Sequence, residues 1–286
     1  MLVAVGYLVV LASVFGGYAL AGGHMSAMLQ PLELLIIGGA AAGAFVVGNP
    51  AKTLTATMKA LPTLLKGSRY TKALYLQLLA LLYELLAKAR KEGLMSIERD
   101  LEAVHESPIF ARYPEILVDH HVVEFITDYL RMVVSGNLNP LEIETLMDAE
   151  IDTHHAEGSL PAMAVQRAGD GLPAFGIVAA VMGVVHTMAS VGRPPSELGE
   201  MIAHALVGTF LGILLAYGFV GPLASLLEHK VAEASKMLQC VKVTLLASLN
   251  GYAPALAVEF GRKVLYSTER PSFLELEEHV KGRKAR

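Results

Sequence analysis

Scarcity of charge defines this sequence. Asp, Glu, Lys and Arg make up 17% of its 286 residues, against about 25% in a typical soluble domain. So apolar a chain does not suit an ordinary soluble enzyme, yet it carries too much charge to lie wholly in lipid. The net charge of −4 argues against a nucleic-acid binder, which would show a basic face. The single cysteine, Cys240, has no partner for an internal disulfide and gives no sign of an oxidising compartment. Among apolar neighbours it reads as a small hydrophobe. No phosphate-binding loop, zinc-ligand spacing or nucleophile elbow occurs, so neither an enzymatic activity, a metal nor a cofactor is expected.

What remains is organised by its uncharged runs. Gly171–Gly192 contains none of those four residue types, Arg193–Glu200 is a short polar loop, and Met201–Leu227 is again uncharged. Each run covers the roughly 20 residues that a helix needs to cross a bilayer. Met1–Pro31 also lacks charge, without the positive start of a secretory signal, and predicts a first membrane helix over about Leu2–Ala21, turned at Gly22-Gly23-His24. After Glu33, Leu34–Ala51 predicts a second. The pairs Gly39/Gly43 and Gly208/Gly212 have the spacing that lets helices approach closely in lipid.

The resulting fold class is an all-α membrane protein with four transmembrane helices. A large helical cytoplasmic domain is inserted between helices 2 and 3, and a helical cytoplasmic tail follows helix 4. Transmembrane helices 1 and 2 occupy residues 1–51, the cytoplasmic domain 52–169, helices 3 and 4 residues 170–227, and the tail 228–286. Orientation follows the basic residues: 12 Lys and Arg lie in 52–170 and ten in 228–286, while the loop between helices 1 and 2 has none. Basic flanks stay inside, so both termini are expected in the cytoplasm.

Within 52–169, Tyr70–Glu92 reads as a packed soluble helix closed by Gly93. Ser96 with Glu98 and Asp100 behind it reads as a helix start, and further helices are expected over 116–134 and 140–157. The acids Glu142, Glu144, Asp148, Glu150 and Asp152, beside His154 and His155, lack any known metal-ligand spacing and read as a solvated face.

A protein that moves ions usually keeps an ionisable group inside the bilayer. None of the four uncharged runs contains Asp, Glu, Lys or Arg, so this chain is either a passive membrane scaffold or a subunit whose partner supplies the charge. Two prolines stand at the inner ends of helices 3 and 4. Pro173 fits the first turn of its helix, and Pro222 should kink or end its own. Two breaks at one depth make either a hinge or two simple helix ends.

The stretches DGLPAFGIVAAVMGVVHTM (170–188), AHALVGTFLGILLAYGFVGPLA (203–224) and QCVKVTLLASLNGYAPALAVEFGRKVLYSTERPSFLELEE (239–278) closely resemble the MotA family, the proton-driven stator subunits of the bacterial flagellar motor. GYLVVLASVFGGYALAGG (6–23) and SRYTKALYLQLLALLYELLAKAR (68–90) resemble it too. The likeness runs in order over nearly the whole chain.

That resemblance implies an inner-membrane ring, understood as five copies, around two copies of MotB. MotB brings one membrane helix with the proton-carrying aspartate, and a domain that grips peptidoglycan. Pro173 and Pro222 would couple proton passage to movement of the cytoplasmic part. Arg90 and Glu98 would engage the rotor protein FliG. Sodium-driven relatives have threonine at the position matching Ala180, whose methyl group cannot replace a sodium ion's water; Ala180 therefore favours protons. Thr209 and Tyr217 are candidate polar liners, although Thr209 has its own helix carbonyls within reach. ExbB- and TolQ-like proteins, which energise an outer-membrane system, are the neighbouring alternative. They typically have three spans and resemble the chain mainly around helices 3 and 4.

Overall fold

The computed structural model describes residues 2–136 and 139–284, with side chains described as far as Val280. These residues are mostly helical, with no strand among them. The first are α1 (Leu2–Leu20), the short α2 (Met25–Met28), α3 (Pro31–Val47) and α4 (Ala51–Ala60). Then come α5 (Lys72–Glu92), α6 (Glu98–Glu102), α7 (Pro114–Leu117) and α8 (His120–Ser135). A long α9 covers Pro140–Met188 and α10 covers Pro195–Ile213. After a π-helical stretch over Leu214–Val220, the chain ends with α11 (Gly221–Leu249), α12 (Pro254–Lys263) and α13 (Phe273–Lys284). Among the described residues, four helical segments are long and apolar enough to cross a membrane: Leu2–Leu20, Met25–Val47, Pro140–Met188 and Pro195–Leu249.

Local chemistry sets several boundaries. Thr71 caps α5 by accepting from the Leu74 amide, and Gly93 ends it at φ 91°, a backbone region costly for other residues. Asp119 caps α8 in the same way, accepting from the Val122 amide. At the start of α9, Asn139 Oδ1 accepts from the Glu142 amide at 3.0 Å while Glu142 accepts from the Asn139 amide at 3.3 Å, a reciprocal capping box.

Some expectations are corrected. The helix expected over 140–157 continues without interruption to Met188, passing Pro161 and Pro173. Pro173 is therefore an interior proline, not a first-turn one. An interior proline forfeits one helical hydrogen bond, which packed membrane helices tolerate by local readjustment. Pro222 does not end its helix either: the α-helical ladder widens to the π form over Leu214–Val220, and α11 resumes with Pro222 at its second position. Ser96 is no cap, since its hydroxyl donates back to Gly93 O at 2.6 Å.

The chain packs as two compact units, one of Met1–Gly67 with Gly158–Lys230, the other of Ser68–Glu157 with Val231–Arg286; the division falls inside α9 and α11. In the first unit, Ile37 and Ala41 of α3 pack with Leu172 and Ala179 of α9 and with Val207 and Leu211 of α10. Farther along, Leu64 packs on Ala162, Val165, Ala224 and Leu227, and Lys230 Nζ caps the chain there by donating to the carbonyls of Thr63 and Lys66. No residue of α1 is buried. The expected close packing of Gly39 and Gly43 is not seen within one chain, where both face open space.

The second unit has the larger core. It is built on α5, whose Leu78, Leu79, Leu81, Leu82 and Leu85 are fully buried, with Tyr75, Phe125 and Tyr129 around them. That burial confirms α5 as a packed helix. Cys240 lies in the same core and donates to Gly261 O; burial pushes its thiol up, which removes the nucleophilic thiolate. The acid-rich face of α9 is partly spoken for: Lys242 pairs with Asp148 at 2.6 Å and Glu144 at 3.7 Å, and Tyr129 donates to Glu150 at 2.7 Å.

Candidate functional site

The seam between α9 and α10 brings the membrane-side candidates together. Its contact surface is made of Gly176 and Gly183 on α9 against Ala205, Gly208 and Gly212 on α10. A Cβ added at Gly212 would lie 2.6 Å from Leu172 O, one at Gly176 2.8 Å from Gly208 O, and one at Gly183 2.7 Å from the Ala205 Cβ. The backbones touch because nothing larger intervenes, which is how helices associate where apolar burial offers no net gain.

Ala180 and Thr209 sit on opposite sides of this seam. The Ala180 amide nitrogen lies 3.2 Å from where a Gly208 Cβ would be, and the Thr209 Cα lies 3.3 Å from the corresponding point at Gly176. Both side chains are half-buried, as is Pro173, whose neighbour Leu172 meets Gly212. Ala205 is instead turned into the contact with Gly183. On this hairpin Thr187 back-bonds to its own helix, at 2.9 Å to Gly183 O, rather than Thr209. Tyr217 and Pro222 lie beyond the seam, both exposed. Along the outer side of the hairpin, Ile177, Val181, Val184, Val185 and Ile213 are exposed within a single chain. That surface suits lipid or another apolar helix.

Two features escaped the sequence. The first is Glu33. The second helix was expected to begin after it, but α3 starts at Pro31 and takes Glu33 into its first turn. Pro at the first helical position with an acid just behind is a legible helix start, and that signal could have found it. The second feature is Tyr7, whose hydroxyl donates to Phe219 O at 2.9 Å, inside the π stretch that precedes Pro222; nothing in the sequence announces this pair.

Arg90 and Glu98 belong to the second unit. Both are exposed. Arg90, in the last turn of α5, edges an apolar groove of about 320 Å³ lined by Leu86, Leu94, Leu130, Val133, Leu249 and Tyr252. Glu98 opens α6 and borders a second hollow with Met95, Glu102 and Arg131. The turn between them is locked from inside. Lys88 Nζ donates to Asp100 Oδ2 at 2.7 Å, Ser107 Oγ donates to Asp100 Oδ1 at 2.6 Å, and the Asp100 carboxylate is almost fully buried. Sequence reasoning named the exposed charges and missed the buried clamp, because a buried acid and a surface acid look alike in a sequence.

Two family descriptions match, "Motility protein A N-terminal" over residues 4–93 and "MotA/TolQ/ExbB proton channel family" over residues 118–240. Motility protein A of Salmonella typhimurium is 63% identical over 282 residues, covering 99% of this chain and 96% of the relative. The chain belongs to the motility protein A family. Motility protein A of Escherichia coli is 62% identical with the same coverage, and the Chemotaxis protein LafT of Vibrio parahaemolyticus is 39% identical over 95% of both chains. The flagellar MotAB stator complex from Bacillus subtilis matches with a TM-score of 0.72 at 25% identity, over 90% of this chain and 92% of that one. C. jejuni MotAB shares the fold with a TM-score of 0.77 at 21% identity, over 94% and 98%. As a member of this family, with four membrane-length helices, the chain is a membrane protein. The channel-family description also names TolQ and ExbB, whereas the N-terminal description and the relatives above 60% identity are motility protein A.

Proposed function

We infer that the chain is a flagellar stator subunit that forms, with a MotB-type partner, a proton-conducting complex and converts proton flow into torque on the rotor. The observation that carries this reading is the identity above 60% to two motility A proteins over 99% of the chain. The complex sits in the bacterial inner membrane with both termini cytoplasmic, as the placement of basic residues favours. Five copies surround two partner helices, and the exposed apolar side of the α9–α10 hairpin is the surface that such a ring offers to lipid and neighbours.

The partner's aspartate binds and releases the proton beside Ala180 and Thr209. Each proton descending the membrane potential supplies about 2.3 kcal/mol per 100 mV. Five subunits around two partner helices cannot match in symmetry, so successive protonations favour stepwise rotation of the ring. Pro173 and Pro222 bound the segment where that movement passes toward the second unit. Arg90 and Glu98, held on the Lys88–Asp100 clamp, press on the rotor protein FliG.

The test is proton flux in cells co-expressing this chain with the partner freed of its plug segment. Acidification should disappear when the partner's membrane aspartate is changed to Asn, and should change with Pro173→Ala. An assembled pair that passes no protons would rule the reading out. Motility that follows sodium instead would reassign the ion.

A further inference from the structure

Glu33 is the acid that the uncharged runs do not contain, and its helix carries it inward. Its Oε2 has no access to solvent and no hydrogen-bond partner among the described residues. It rests on Gly208: a Cβ there would lie 2.9 Å from Oε2, 3.1 Å from the Ala179 Cβ and 3.2 Å from the Ala180 amide nitrogen. The oxygen thus occupies a notch between α3, α9 and α10 that a side chain at 208 would fill, beside the backbone of Ala180.

The surroundings leave little to neutralise it. Between Asp170 and His186, α9 has no titratable residue; α2 has none, and α3 has Glu33 alone. On α10 the group in charge range is His204, one helical turn before Gly208 on the same face, with Glu200 4.0 Å from its Nε2. Ionisable groups inside membrane spans are costly and mark ion paths and proton relays. A partnerless carboxyl oxygen facing the seam has the placement such a relay needs.

We propose that Glu33 is a proton-uptake site on the outer side of the ion path. An O–H bond forms on its carboxylate with a proton entering past His204, and that bond breaks as the proton passes inward to the partner's aspartate. The proposal rests on the stator reading, and the intact pair serves as the control that separates the two.

The experiment measures proton flux in the plug-deleted complex as a function of external pH, for the intact pair, Glu33→Gln and Glu33→Asp, with co-purification of the partner as the assembly check. Glu33→Gln preserves size and hydrogen bonding but binds no proton. Flux should fall by about tenfold or more, the scale of losing a positioned proton-transfer group, with a changed external-pH profile, while Glu33→Asp keeps much of it. Undiminished flux in an assembled Glu33→Gln complex overturns the proposal; absence of flux in the intact pair overturns the stator reading instead. If Glu33→Gln does not assemble, infrared difference spectra of the intact complex with isotope-labelled glutamate decide. A carboxyl band that rises and falls with pH and is lost in Glu33→Asp supports proton uptake there, and its absence overturns it.

Discussion

The Tyr7 hydroxyl donates to the Phe219 carbonyl at 2.9 Å, and the two rings lie 4.8 Å apart between centroids. This contact ties α1 to the π stretch before Pro222. Proline brings no amide hydrogen and crowds the carbonyl four residues earlier, and a π turn is a common way to take up such a break, often at functional positions. Removing the donor by Tyr7→Phe should cost about 0.5–1.5 kcal/mol, read as a lower unfolding midpoint in detergent. Restoring an amide with Pro222→Ala should let the segment return to the α form. Stability should then hold or rise while motility falls; motility that survives Pro222→Ala would remove the π stretch from the mechanism.

The α9–α10 seam gives a prediction with a built-in rescue. Gly183→Ala places a methyl group 2.7 Å from the Ala205 Cβ, closer than two carbons approach. Overpacking of this kind costs about 1–3 kcal/mol, so the amount of folded protein in the membrane should drop. Ala205→Gly on the facing helix should restore it. If the double variant is no better than Gly183→Ala alone, the two residues do not meet as described.

The four membrane helices were legible because hydropathy and length are one-dimensional properties, and the packed nature of α5 was legible from Gln77 and Glu84 in its apolar run. What escaped depends on three-dimensional neighbours. Pro173 looked like a helix start because a charged segment precedes it, yet α9 runs through it from Pro140. Gly208 and Gly212 make the close contact that their spacing suggests, whereas Gly39 and Gly43, with the same spacing, face open space in one chain. Glu33 seemed to stand outside its span, and one turn of extra helix put it against the Gly208 notch.

The turn that carries Arg90 and Glu98 separates surface charge from buried support. Arg90 and Glu98 are exposed, and exposed charges of this kind add little stability. Arg90→Glu should therefore leave the unfolding midpoint of the full chain and its co-purification with the partner unchanged, while swimming is impaired. Asp100→Ala strips Lys88 and Ser107 of their acceptor, and should cost about 3 kcal/mol, the lower end of the buried-pair range because Lys88 still reaches solvent. Loss of assembly in Arg90→Glu would move that residue from contact to folding.

His154 sets an acid limit on the second unit. Its ring meets His121 edge to face, 5.4 Å between centroids, and its Nδ1 is buried without a hydrogen-bond partner. Burial holds its pKa below the usual 6.5, and the neighbouring His121 charge acts in the same direction, while Asp119 and Glu150 oppose them and His155 adds to the lowering. Above about pH 6.5 the imidazole is neutral in folded and unfolded chains alike, so it contributes no pH dependence. As pH falls through that value, the unfolded chain takes up a proton that the folded one resists, and stability declines until the folded pKa is passed. The unfolding midpoint of the full chain should therefore drop between about pH 7 and 5, and His154→Phe, which keeps a ring against His121 but cannot be charged, should flatten that drop. An acid profile identical in the two proteins would assign the decline to other groups.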